Sequence, residues 1–94
     1  VDNKSFFQAI SCMYANSGRL GKLREDILKW DLPCCDKMVL IWKYVEGLPY
    51  KTIGVRIAKE ENLAYPLSER QVCRRHDKAL KLVVPAIIQQ VMKS

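Results

Sequence analysis

Apolar residues recur at three- and four-residue intervals along almost the whole chain, and nowhere do they alternate over the length of a strand. A first helix is predicted from Ser5 to Ala15, with Phe6, Ala9, Ile10 and Met13 on one face and Phe7 and Tyr14 flanking it; Asn16, Ser17 and Gly18 end it. A second fits Leu20 to Trp30 through Leu20, Leu23, Ile27, Leu28 and Trp30. Asp31 followed by Leu32 and Pro33 reads as a capping carboxylate and a first-turn proline, opening a third helix to Glu46. Met38, Ile41, Trp42 and Val45 form its inner stripe, widened by Leu40 and Tyr44, and Gly47 supplies a left-handed stop. Being the most hydrophobic helix, it is expected at the centre.

After a tight turn at Gly47, Leu48 and Pro49, the residues Tyr50, Ile53, Ile57 and Ala58 carry a fourth helix to about Asn62. Gly54 lies in its middle, where glycine costs ~1 kcal/mol relative to alanine, so close approach of a crossing helix is expected there. The next helix starts at Ser68, whose spacing to Gln71 is that of a capping box. Val72, His76, Ala79, Leu80 and Val83 form its inward stripe, while Glu69, Arg70, Arg74, Arg75, Lys78 and Lys81 fall elsewhere on the circumference. The period continues through Val84, Ile87, Ile88 and Val91, interrupted by Pro85, where a kink or a restart near Val84 is expected.

The class is therefore all-α, with five to six helices in a single domain spanning 1–94: supporting helices over 1–32, a trihelical helix-turn-helix unit over 33–82 and an apolar helix over 83–94. At 94 residues the chain has room for one shared core only. No apolar run approaches the ~18 residues of a membrane span. Val1 to Ala15 lacks the basic lead and long apolar core of a secretion signal, and the chain begins with Val rather than Met, as a segment of a longer protein would.

Charge changes the picture more than composition does. The net charge is +6. Through Glu46, seven basic residues face six acidic ones; from Gly47 onward nine face four. A positive field concentrated in the second half, interleaved with core positions, favours a polyanion, and nucleic acid ahead of a membrane. Guanidinium groups on the leading turns of a capped helix suit a DNA major groove, because arginine bonds guanine O6 and N7 bidentately. The competing account of the same face is a solvated surface that only keeps the protein soluble.

The four cysteines, Cys12, Cys34, Cys35 and Cys73, lack zinc spacing, and adjacent Cys34 and Cys35 suit neither a shared metal nor a disulfide. Reduced thiols and a cytoplasmic location are expected, with Cys12 and Cys73 as small apolar fillers. His76 reads as a satisfied core histidine, with Asp77 pointing to another face. No acid, base, nucleophile or metal set can be assembled, so neither an enzyme nor a cofactor is expected.

The run LIWKYVEGLPYKTIG followed by SERQVCRRHDKALKL resembles the promoter-reading domain, region four, of bacterial sigma-seventy-type factors and related phage transcriptional regulators. In that family a central helix ends in a glycine-containing turn, a supporting helix bears an Ile-Gly or Ile-Ala pair, and the recognition helix ends in Lys-Ala-Leu. The matching pieces are Gly47 to Gly54 and Ser68 to Leu82, about a quarter of the chain, with Leu40 to Glu46 agreeing in apolar pattern. The resemblance implies base-reading positions at Glu69, Arg70, Cys73 and Arg74 and a capping hydroxyl on Ser68. Two departures stand out. Several more residues separate Gly54 from Ser68, and Arg75 and His76 stand where the family has an apolar and then a polar residue, a rotation that would bring Arg75 to the DNA in place of Cys73.

The expected function is thus sequence-specific DNA binding in transcription control, bacterial or phage, through Ser68, Glu69, Arg70, Cys73, Arg74, Arg75 and Lys78, with Lys51 and Arg56 as phosphate contacts. Double-stranded DNA is the expected partner, RNA polymerase a second one implied by the resemblance, and Val83 to Met92 a candidate self-association surface whose competing role is to bury its own seam. The alternatives are an adaptor that holds RNA polymerase and a DNA-binding subunit of a phage packaging complex.

Overall fold

The computed structural model of the protein describes residues 2–93, and its regular structure there is entirely helical. Its five helices are α1 (Asn3–Asn16), α2 (Leu20–Lys29), α3 (Cys34–Leu40) continued by a π-helical turn (Ile41–Val45), α4 (Tyr50–Glu60) and α5 (Glu69–Lys93). The all-α class is as expected. No helix among the described residues is long and apolar enough to cross a membrane.

α1 starts earlier than Ser5, because the Asp2 carboxylate accepts from the Ser5 amide at 2.7 Å. It ends at Gly18 (φ +68°), beyond which the Arg19 amide returns to the Tyr14 carbonyl at 2.7 Å. Its inward face differs from the expected one: Phe7 is fully buried, whereas Met13 is 71% exposed and Ala9 faces solvent. The Phe7 ring packs edge-on against Tyr44 at 4.7 Å and Trp30 at 6.1 Å, and that aromatic contact turns the helix. Ser11 is buried one turn later because its hydroxyl donates to the Gln8 carbonyl. On α2, Leu23 and Ile27 are buried, while Leu28 lies 45% exposed.

The start of α3 is also corrected. Pro33 itself occupies the N-cap position, its carbonyl accepting from Asp36 and Lys37, and Asp31 lies too far out to cap. The expected stripe of Met38, Ile41, Trp42 and Val45 is replaced by four consecutive buried residues, Val39, Leu40, Ile41 and Trp42, with Met38 and Val45 half-buried. Leu40 and Ile41 join one core with Phe7, Leu23, Ile27 and the α5 residues Ala79, Leu80, Val83 and Val84. Val39 and Trp42 join another with Ile53, Ile57 and Val72. Lying between two cores, the helix keeps little outward face beyond exposed Cys34 and Cys35. Its last turn widens accordingly: the Glu46 amide bonds the Ile41 carbonyl at 3.0 Å, and across Gly47 (φ +70°) Leu48 reaches the Trp42 carbonyl at 2.9 Å.

Gly54 is crowded by the backbone of Leu67 rather than by a crossing helix axis. Leu67 donates its amide to the Gly54 carbonyl, and a Cβ at position 54 would run into the Leu67 carbonyl oxygen. Val72 of α5 lines the same spot. Pro85 neither breaks nor restarts α5. It sits on the exposed side, one turn after exposed Lys81, while Val83 and Val84 hold the helix to the core. The side chain of Val91, the last member of the tail stripe, lies outside the described residues, as does Ser94. All four cysteines are free; Cys12 is exposed rather than a core filler, and Cys73 is half-buried.

Two glycine substitutions separate helix propensity from packing. Gly21→Ala, in the open on α2, is expected to stabilise by about 0.5–1 kcal/mol. Gly54→Ala is expected to destabilise by about 1–3 kcal/mol despite the same propensity gain. Urea denaturation midpoints at constant m-value check both.

Candidate nucleic-acid interface

Residues 61–68 join α4 to α5. Asn62, at φ +55°, reverses the chain, and Leu63 donates its amide back to the Ala58 carbonyl at 2.8 Å. The far side of this connection ends in the expected capping box: the Ser68 amide donates to Gln71 Oε1 at 2.9 Å and the Gln71 amide to Ser68 Oγ at 3.2 Å. The first turn of α5 is therefore ordered without help from a ligand.

The buried stripe of α5 is the expected one, Val72, His76, Ala79, Leu80 and Val83. At about 100° per residue, Arg70, Arg74 and Lys81 lie opposite it and Lys78 beside them. All four are exposed. Arg70 and Arg74 have no ion-pair partner among the described residues. Glu69 is exposed on the same leading turn, and Lys51 on the first turn of α4.

Three of the expected contact residues have neighbours within the protein. The Arg75 guanidinium donates two hydrogen bonds to the Glu61 carboxylate, at 2.6 and 3.3 Å, which keeps that carboxyl below its usual range. Arg75 is thus held toward the end of α4, away from the Arg70–Arg74 line. Arg56 pairs with Glu46 at 3.4 Å, its guanidinium 5.8 Å from the centre of the Trp42 ring. Cys73 lies half-buried beside Tyr50, whose phenol is pushed up to about 12 by burial first and by the neighbouring thiol second.

Behind the basic face, His76 is fully buried and hydrogen-bonded at both ring nitrogens. Tyr44 Oη lies 2.6 Å from Nε2, and Asp77 Oδ1 lies 3.0 Å from Nδ1, so Asp77 reaches back to the ring instead of pointing elsewhere. Burial lowers the imidazole pKa, outweighing the opposing effect of Asp77. The neutral ring fits the geometry: the Tyr44 hydroxyl donates to Nε2 and the Nδ1–H donates to the carboxylate. Burial likewise raises the Tyr44 phenol above its ordinary value. Tyr44 and His76 lie 32 residues apart, and nothing local in the sequence joins them. Among the described residues no group of His, Cys, Asp and Glu is placed to hold a metal ion.

Comparison with protein-family models, with curated proteins and with solved structures gives no match for this chain.

The lowered pKa of His76 has a sign that can be read in stability. Between the folded value and the unfolded value of about 6.5, the unfolded chain binds more protons, so stability rises with pH there. Thermal unfolding midpoints should be flat, as far as His76 is concerned, above about pH 7 and fall as pH drops through 6.5 toward the folded value. In His76→Gln this segment of the midpoint-versus-pH curve should flatten, on a less stable protein.

Proposed function

We propose that the protein is a sequence-specific DNA-binding transcriptional regulator, bacterial or phage, that inserts the start of α5 into the major groove. One observation carries the reading: Arg70 and Arg74 stand exposed and, among the described residues, without an ion-pair partner, one helical turn apart, opposite the buried stripe of a helix whose first turn is fixed by its own capping box. Four residues rise by about 6 Å, roughly two base-pair steps of B-DNA. The two guanidinium groups therefore suit guanines about two steps apart, each bonded bidentately through O6 and N7. We assign exposed Glu69 to accept from a cytosine amino group or to orient an arginine, while Ser68 keeps its capping role. Lys51 and Lys78 supply phosphate contacts. Arg75 and Arg56, held by Glu61 and Glu46, contribute positive charge that is already partly neutralised.

The resemblance to sigma region four extends the proposal to RNA polymerase as a protein partner. A second copy is the other way to enlarge the limited interface of a single small module. Val83 and Val84 are occupied by the chain's own core, which leaves Leu82, Ile88 and Met92, among the described residues, as the large exposed apolar side chains of the tail for such a contact.

Selection of bound duplexes from a random pool at two salt concentrations tests the reading. One motif is expected to enrich, and to persist at the higher salt, since binding through phosphates alone weakens steeply. Against that motif, the Arg70→Ala, Arg74→Ala double variant should bind with a Kd at least roughly thirtyfold weaker, from about 2 kcal/mol or more of lost base contacts, with an unchanged circular dichroism spectrum. Unchanged affinity would reject base reading by this helix.

A further inference from the structure

The connection between α4 and α5 is pinned at both ends. Leu63 is tied by its amide to the Ala58 carbonyl at 2.8 Å, and Leu67 by its amide to the Gly54 carbonyl at 3.3 Å. Leu67 also packs against the smaller core, and the missing Cβ of Gly54 is what lets its carbonyl lie so close to α4. Between these tethers stand only Ala64, Tyr65 and Pro66, all three exposed. Pro66 restricts the backbone of the residue before it to extended conformations, so Tyr65 is presented on a short, stiff tip. It is 81% exposed and belongs to neither core.

The tip cannot lie far from the turns that carry the arginines. Three residues take the chain from Tyr65 to Ser68, a span of at most about 10 Å, and the capping box of Ser68 and Gln71 fixes the first turn of α5. From Ser68 to Arg70 the helix adds about 3 Å. With α5 lying along the major groove, Tyr65 therefore falls within about four base-pair steps of the guanine read by Arg70, on the side away from Arg74.

The charges around the tip select what it can touch. Glu60, Glu61 and Glu69 flank the connection; Glu61 is paired with Arg75, while Glu60 and Glu69 face solvent. Carboxylates on both sides make this a poor place for a phosphate. The floor of the major groove offers instead the thymine C5-methyl group, an apolar feature among polar base edges. An uncharged aromatic ring suits it.

We infer that Tyr65 reads a thymine methyl group in the major groove, beside the guanines read by the arginines, so that the connection between α4 and α5 takes part in sequence recognition. The inference rests on the reading of α5 as the groove-entering helix.

The test uses the full chain and fluorescence anisotropy on the duplex selected from the random pool. Each thymine within four steps of the Arg70 guanine is replaced in turn by deoxyuridine, which removes only the methyl group. At one such position the unaltered protein should lose about fourfold in affinity, the worth of about one buried methyl group. Tyr65→Ala should bind the original duplex at least that much more weakly and be indifferent to the replacement, with an unchanged thermal midpoint. Tyr65→Phe should keep both the affinity and the sensitivity. A selected motif with no thymine in this window would overturn the inference. So would a Tyr65→Ala variant that binds the original duplex as well as the unaltered protein does, or stays as sensitive to deoxyuridine, and the tip would then be left as a surface for a protein partner. In either case a continued loss of binding in Arg70→Ala, Arg74→Ala would show that base reading by α5 stands without Tyr65. If no motif enriches, or if the arginine variant also binds unchanged, the groove reading itself falls, and this inference with it.

Discussion

Leu40 and Trp42 stand two residues apart on one helix and pack into different cores. Everything else in the fold accommodates that constraint. α3 and its π-helical turn lie against α1, α2, α4 and α5, so four consecutive side chains must be buried where an ordinary amphipathic helix would bury one stripe. The wider π turn is where this segment leaves the regular helical repeat. α5 is shared in the same way, with Val72 in the smaller core and Ala79 to Val84 in the larger. Because both shared elements are single continuous helices, the orientation of the basic turns of α5 is tied to the whole body of the protein.

The tie between those two helices is polar. Tyr44 and His76 meet at 2.6 Å inside the fold, with Asp77 completing the set. Buried polar groups are costly when unpaired and specific when paired. A sliding or rotated packing of α5 on the π turn would leave the Tyr44 phenol and the Nε2 of His76 without partners. Ring contacts extend the same anchorage outward: Trp30 to Phe7, Phe7 to Tyr44, Tyr44 stacked on His76, and His76 to Tyr50. The N-terminal helices thus bear on the helix that carries the arginines through a continuous line of aromatic side chains, not through loops.

Charge pairing then decides where the positive field emerges. The chain's excess of cations is spread through its second half, but Arg56 and Arg75 are matched by Glu46 and Glu61, while Arg70, Arg74, Lys78 and Lys81 are left facing solvent. Cations with low local competition hold a polyanion best.

Local physical chemistry was legible in the sequence, and contacts across the chain were not. The capping box of Ser68 and Gln71, the buried stripe of α5, the stop at Gly47 and the all-helical class each depend on residues within a turn or two of one another, so spacing alone determined them. The face of α1 was misread because a self-satisfied serine, Ser11, stands in its buried stripe and because Phe7 is turned inward by rings from other helices. The double burial of α3, the crowding of Gly54 by Leu67, the capture of Arg75 by Glu61 and the bond between Tyr44 and His76 join residues that the sequence does not pair. They exist because chain closure brings these groups together, and only tertiary packing could decide which arginines remain free.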